Sequence, residues 1–254
     1  MAKIAVFDSG LGSLSIIQEI QKISKSEIIY FADQENFPYG KKSRAKLHQI
    51  IEKSIKRIHE IFNPDIIVVA SNTPSVMLDL ATSKIIDVKP PLKDAQRKSK
   101  TKKIGILATN SAIKSRGLSQ YIKKNNFPQK INIFKINGSE LVELVESGKF
   151  YSDKEYSRKI IKKILDQKLF ENNIDTVLLS STHLPFLRSL LEKEYPKTTF
   201  IDPGKEVARK VLLKIKDDQN KRNSLKIFAS GNLTTFQKKL NHVGIKNKVN
   251  FFSV

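Results

Sequence analysis

Short apolar runs rich in β-branched residues alternate along this chain with longer stretches whose apolar positions recur at helical spacing. No other feature limits the fold as much. The runs predict strands at Ile4–Phe7, Glu27–Phe31, Asp65–Ala70, Lys103–Leu107, Asn132–Ile136, Thr176–Leu179, Thr199–Ile201 and Leu225–Ala229. Between them, Leu47, Ile50, Ile51, Ile55, Ile58 and Phe62 mark one helix face, and Ile160, Ile161, Ile164, Leu165 and Leu169 another. Ser152 followed by Glu155 predicts a capping box at the start of the second of these helices. Strands that alternate with helices in this way predict an α/β architecture with mostly parallel sheets.

Two stretches read as connections. Asp87–Lys103 carries Pro90 and Pro91, through which a helix does not run, and Lys216–Ser224 is wholly polar. With 254 residues, of which 39% are hydrophobic and 28% charged, the chain has material for one large domain or two smaller lobes. No apolar run approaches the length of a membrane span. The start, MAKIAVFDSG, enters a strand without the apolar stretch of a signal peptide, which predicts a cytoplasmic protein.

The formal net charge is +21. Such a balance is compatible with a nucleic-acid partner, but the lysines are spread over nearly every segment, and the densest run, Lys98–Lys103, has no interleaved aromatics. A generally basic surface is the favoured account, and its long-range field suits an anionic small substrate. There is no cysteine, which removes disulfides, thiolate metal sites and thiol catalysis together. The four histidines, His48, His59, His183 and His242, show no metal-ligand spacing, so no metal site is expected, and His48 and His59 are placed on the solvated face of a helix.

The first strand ends in Phe7-Asp8-Ser9-Gly10-Leu11-Gly12. Glycines here let the backbone approach a ligand as the next helix begins. A dinucleotide fingerprint would need a third glycine where Ser15 stands, and Asp8 would repel a phosphate. Two roles for Asp8 stay open: a helix N-cap, or a carboxylate that binds an ammonium group or orients a base. Further on, Ile67 to Pro74 echoes Leu178 to Pro185, each an apolar strand that ends in a serine and a polar pair. Open α/β sheets place ligands beyond the carboxyl ends of their strands, so two such ends from two lobes could face one ligand, although buried strands commonly end in Ser, Thr or Asn. Ser181 lies two residues from His183, yet no G-x-S-x-G elbow surrounds it or Ser71, which argues against a serine hydrolase.

Taken in order, the motifs resemble the glutamate racemase branch of the aspartate/glutamate racemase family. The matches are Asp8-Ser9-Gly10, Asp33 with Pro38-Tyr39-Gly40, Asn72-Thr73, Leu144 to Gly148, Thr182-His183 with Pro185, Ile201-Asp202 with Gly204, and Ser230-Gly231. The resemblance implies two similar α/β lobes, residues 1–93 with 206–254 and residues 94–205, with the active site in the cleft between them. It implies cofactor-independent interconversion of L- and D-glutamate, or a similar acidic amino acid, by two-base proton transfer, without pyridoxal phosphate or metal. Asp8 matches the carboxylate that assists one base of the family, and Glu146 and His183 match the groups that assist the other. Ser9, Pro38, Tyr39, Gly40, Asn72, Thr73 and Thr182 fall on substrate-holding positions, and a homodimer is compatible with the likeness.

The departure is at the bases themselves. The two catalytic cysteines of the family fall on Ser71 and Ser181. A thiol titrates near about 8.5, whereas an alcohol is several units less acidic, and each unit costs about 1.4 kcal/mol when the anion must form. Three accounts of the serines are open at this point: introduced in place of thiols to trap a complex, native in a protein that binds a small dicarboxylate without racemising it, or used for decarboxylation, isomerisation or hydrolysis.

Overall fold

The structure, a computed structural model, describes residues 2–125, 131–215 and 220–254. Its elements run β1 (Lys3–Asp8), α1 (Ser13–Ile23), β2 (Glu27–Ala32), α2 (Arg44–Phe62), β3 (Ile66–Val69), α3 (Asn72–Leu78), β4 (Ile85–Asp87) and α4 (Leu92–Lys98). They continue with β5 (Lys103–Ala108), α5 (Asn110–Lys114), α6 (Arg116–Lys124), β6 (Asn132–Asn137), α7 (Ser139–Glu146), α8 (Lys149–Ser152), α9 (Lys154–Glu171), β7 (Thr176–Leu179), α10 (Arg188–Glu194) and β8 (Thr199–Ile201). The chain closes with α11 (Gly204–Ile215), β9 (Ser224–Ala229), α12 (Leu233–His242) and β10 (Val249–Phe251).

The strands form a six-stranded sheet in the order β10-β9-β2-β1-β3-β4 and a four-stranded sheet in the order β6-β5-β7-β8. Every pairing is parallel. Parallel strands are covered by helices on both faces, so Ile4–Phe7 of β1, Ile66–Val69 of β3 and Val177–Leu179 of β7 are apolar and buried. In the first sheet α1, α11 and α12 close one face through Leu14, Val211 and Phe236, while α2 closes the other through Leu47, Ile51 and Ile58. In the second, α7, α9 and α10 cover one face and α4 and α6 the other. Each sheet with its helices makes one lobe. The inner four strands of the first, β2-β1-β3-β4, repeat the order β6-β5-β7-β8 of the second.

All eight expected strands are present, and two further strands, β4 and β10, lie at the edges of the first sheet with three residues each. The helix α2 follows its expected face; Ser43 caps it by accepting from Lys46 N at 3.2 Å, and Asn63 ends it in the left-handed region at φ 42°. His48 and His59 lie on its exposed side. The expected capping box at Ser152 and Glu155 is corrected. Asp153 takes the N-cap of α9, its Oδ1 accepting from Tyr156 N at 2.9 Å, because Ser152 still belongs to α8. The expected connection at 87–103 is corrected: it carries α4, whose Leu92 and Ala95 are buried in the core of the second sheet, although the helix starts after Pro91 and so leaves both prolines outside it. Of the expected connection at 216–224, residues 216–219 lie outside the described residues. No helix among the described residues is long and apolar enough to cross a membrane.

Candidate active site

The carboxyl ends of β1, β3 and β7 bring the candidate residues together where the two lobes meet. Asp8 is the last residue of β1, Ser71 lies between β3 and α3 with Asn72 and Thr73 opening that helix, and Ser180 to His183 follow β7. Glu146 ends α7. All of them are buried; Ser71 keeps 8% and Ser181 6% of its surface exposed.

Polar contacts across the lobe boundary hold this cluster. Thr182 Oγ1 donates to Asp8 Oδ2 at 3.3 Å, and Ser15 Oγ donates to the Thr182 carbonyl at 2.7 Å. Glu146 Oε1 accepts from Leu11 N at 2.6 Å and lies 2.7 Å from His183 Nε2. Thr73 Oγ1 and Thr109 Oγ1 are 3.1 Å apart. The glycines of the first turn make this approach feasible. A Cβ on Gly10 would stand 1.9 Å from Glu146 Oε1, and one on Gly12 would stand 2.3 Å from Thr182 Oγ1 and 2.5 Å from Asp8 Oδ2. Close approach of the backbone was legible in the sequence, but what approaches is the other lobe's side chains. The N-cap role for Asp8 also falls away, since Gly12 occupies the N-cap of α1 and Asp8 accepts from Ser9 N at 2.6 Å.

The two carboxylates at the centre are tuned in opposite directions. Burial pushes Asp8 above its ordinary value, outweighing the charge of His183 and the hydrogen bonds from Ser9 and Ser71. Burial acts on Glu146 in the same sense, but there the hydrogen bond and charge of His183, with Lys239 beside it, prevail and bring it down to about 2. His183 mirrors its partner: burial pulls the imidazolium down, and the Glu146 hydrogen bond and charge leave it raised above 6.5. Glu146 is therefore ionised at neutral pH, and its charge favours the imidazolium form of His183.

Asn72 Nδ2 donates to the Val88 carbonyl at 3.0 Å, which fixes the amide and leaves Oδ1 buried without a partner. Such an acceptor suits an incoming ammonium group. Pro38, Tyr39 and Gly40 belong to the segment between β2 and α2. Tyr39 is buried and its hydroxyl donates to Asp33 Oδ2 at 3.0 Å, while Asp33 also accepts from Asn36 and from Ser230. The Phe37–Pro38 peptide bond is cis. Pro38 and Gly40 line a cavity of about 410 Å³ together with Phe37, Thr109, Ser111 and Val142, and Thr109 links it to Thr73. Among the described residues, no three His, Cys, Asp or Glu side chains are grouped so as to hold a metal ion.

Several participants escaped the sequence. Lys239, on α12, lies 2.8 Å from Glu146 Oε2, and no local pattern distinguishes it from neighbouring lysines. Tyr30 donates its hydroxyl to the Gly10 carbonyl at 2.6 Å and steadies the turn. Asp33 and Ser230 were visible only as matches, and their contacts give them a supporting place behind Tyr39.

No family model matches the chain. Among curated proteins, the glutamate racemase of Actinobacillus pleuropneumoniae serotype 7 is 32% identical, over 87% of this chain and 86% of its own. Among solved structures, glutamate racemase RacE1 of Bacillus anthracis shares the fold, with a TM-score of 0.87 at 24% identity over 100% of this chain and 98% of the other. The Escherichia coli glutamate racemase, solved with L-glutamate and the activator UDP-MurNAc-Ala, matches with a TM-score of 0.83 at 26% identity, covering 100% and 98%. Fold, motif order and sequence likeness converge, and the chain belongs to the glutamate racemase family.

Proposed function

We propose that this protein interconverts L- and D-glutamate in the cleft between its lobes, with Ser71 and Ser181 standing at opposite faces of the substrate Cα where the family uses thiols. The observation that carries this reading is positional. Each serine follows the same strand of its lobe, β3 in one and β7 in the other, and each lobe contributes titratable partners of its own. The solved relative from Escherichia coli holds L-glutamate, and the basic field of this chain favours an anion of that kind.

Serine alkoxides are too costly to serve as free bases, so the hydroxyls act as relays. On the first face, Ser71 Oγ takes the α-proton as its own proton passes to Asp8, whose buried carboxylate is more basic than usual. The carbanion that forms is planar at Cα. On the second face, Ser181 delivers a proton to it, and the imidazolium of His183, held charged by Glu146, restores the serine. The reverse direction runs through the same groups with the roles exchanged. Asn72 Oδ1 receives the ammonium group, Thr73 and Thr182 contribute hydroxyls to the carboxylates, and Ser9, Pro38, Tyr39 and Gly40 shape the approach. Incubation with L-glutamate in deuterium oxide tests this directly. We expect slow deuterium incorporation at Cα with appearance of the D-enantiomer; calorimetric binding with no exchange would replace the racemase by a binding protein.

A further inference from the structure

Helix α12 of the first lobe sends one cation to a carboxylate of the second. Lys239 Nζ meets Glu146 Oε2 at 2.8 Å, on the oxygen that His183 leaves free, and stands 5.7 Å from the centroid of the Phe37 ring. Glu146 thus has both oxygens committed: Oε1 to Leu11 N and His183 Nε2, Oε2 to Lys239. Its side chain is 5% exposed, that of His183 6% and that of Lys239 24%, so the cation plugs the rim of an otherwise buried pair.

We propose that Lys239 is a positioning residue for the His183 side of the site, holding Glu146 by its second oxygen so that the imidazole keeps one orientation, and tying Phe37, next to Pro38, to the same point. This rests on Glu146 and His183 being the assisting pair named above. Without the lysine, the carboxylate could turn about its bond to the imidazole, and the segment that carries Pro38, Tyr39 and Gly40 would lose its link to α12.

The charges around the pair define how this can be detected. His183 is faced by Glu146 from α7, Asp8 from β1 and Lys239 from α12; Glu146 also acts on Tyr30 of β2, and the ring of His242 lies near Gly148. Lys239 pulls both Glu146 and His183 toward lower pH. Removing its charge alone raises both titrations, whereas a carboxylate that turns from the imidazole withdraws the hydrogen bond that raises His183. A positioning role therefore shows as a lower His183 midpoint when donor and charge are lost than when the charge alone is lost.

The test is an NMR titration of the imidazole signals in the full-length protein and in Lys239→Met and Lys239→Arg variants. The four histidines are told apart by the spectrum of a His183→Gln variant. We expect the His183 midpoint to move to higher pH in a Lys239→Gln variant, which keeps a donor to Glu146 without the charge, to lie clearly lower in Lys239→Met than in Lys239→Gln, and to stay near the native value in Lys239→Arg. Should Lys239→Met fail to fold, Lys239→Ala takes its place in the comparison with Lys239→Gln. α-Proton exchange at neutral pH should fall about tenfold in Lys239→Met and recover in Lys239→Arg. A midpoint in Lys239→Met at or above that of Lys239→Gln overturns the proposal, as does an arginine variant as perturbed as the methionine one. Because the titration needs no turnover, a shifted midpoint in a protein that exchanges nothing would count against the racemase reading alone.

Discussion

The two lobes share a frame and carry different titratable groups at its strand ends. Lys3-Ile4-Ala5-Val6-Phe7-Asp8 in β1 and Lys103-Ile104-Gly105-Ile106-Leu107-Ala108 in β5 occupy the same place in their sheets, yet one ends in a carboxylate and the other in a methyl group. The second lobe draws its carboxylate from a helix instead, through Glu146 at the end of α7, and adds His183 after β7. The result is one buried carboxylate pushed upward by desolvation and one brought down to about 2 by two cations. Environments that drive two carboxylates apart in this way separate a proton acceptor from a fixed counter-charge. In the proposed mechanism Asp8 receives a proton and Glu146 holds one on its neighbour, so a repeated fold supplies matching strand ends while its differences supply the two acid–base partners.

Breaking the second lobe's pair should have the largest effect. Glu146→Gln leaves two cations facing a neutral group in a buried site, a change that costs about 3–5 kcal/mol. Urea unfolding at neutral pH would register it, and no change would mean that the pair is solvated. The same variant sharpens the pH behaviour. Glu146 is depressed from 4.5 to about 2, so its stabilisation is present above 4.5 and is lost as pH falls through about 2. His183 is raised above 6.5, so its share is complete below 6.5 and is lost as pH rises through its folded value. Asp8, raised by burial, works against folding once ionised and softens the acid limb. Native protein should thus lose stability toward both ends of the range, and Glu146→Gln should flatten both losses.

Restoring thiols at both matching strand ends comes next in size. Ser71→Cys with Ser181→Cys should raise α-proton exchange by at least about a hundredfold, since each unit of acidity gained is about a factor of ten. A folded, glutamate-binding double variant that stays inert would place the proton transfer elsewhere. The smallest effect is at the seam. Thr73→Val removes the hydroxyl contact with Thr109 between the lobes and should cost about 1 kcal/mol in urea unfolding, with weaker glutamate binding by calorimetry.

The fold was legible because strands buried on both faces are written as uninterrupted apolar runs, as at Ile66–Val69 and Val177–Leu179. Three-residue edge strands such as Ile85–Asp87 carry too little pattern to be seen. The serine-ended echo was visible and marks equivalent positions of the two lobes. Partnerships over long sequence distances were not. Lys239 reaches Glu146 across 93 residues with no local trace, and Gly10 and Gly12 signalled a close approach without showing that side chains of the other lobe make it. The helix start at Asp153 was misassigned to Ser152 because a short helix immediately before it already claims the serine.

Single substitutions test the division of labour most directly. Ser71→Cys and Ser181→Cys, made separately, are each incubated in deuterium oxide with L-glutamate and with D-glutamate, and α-deuterium incorporation is followed before inversion. If the lobes serve opposite faces of one Cα, the two variants prefer opposite enantiomers. The same preference in both, or none in either, would contradict the account.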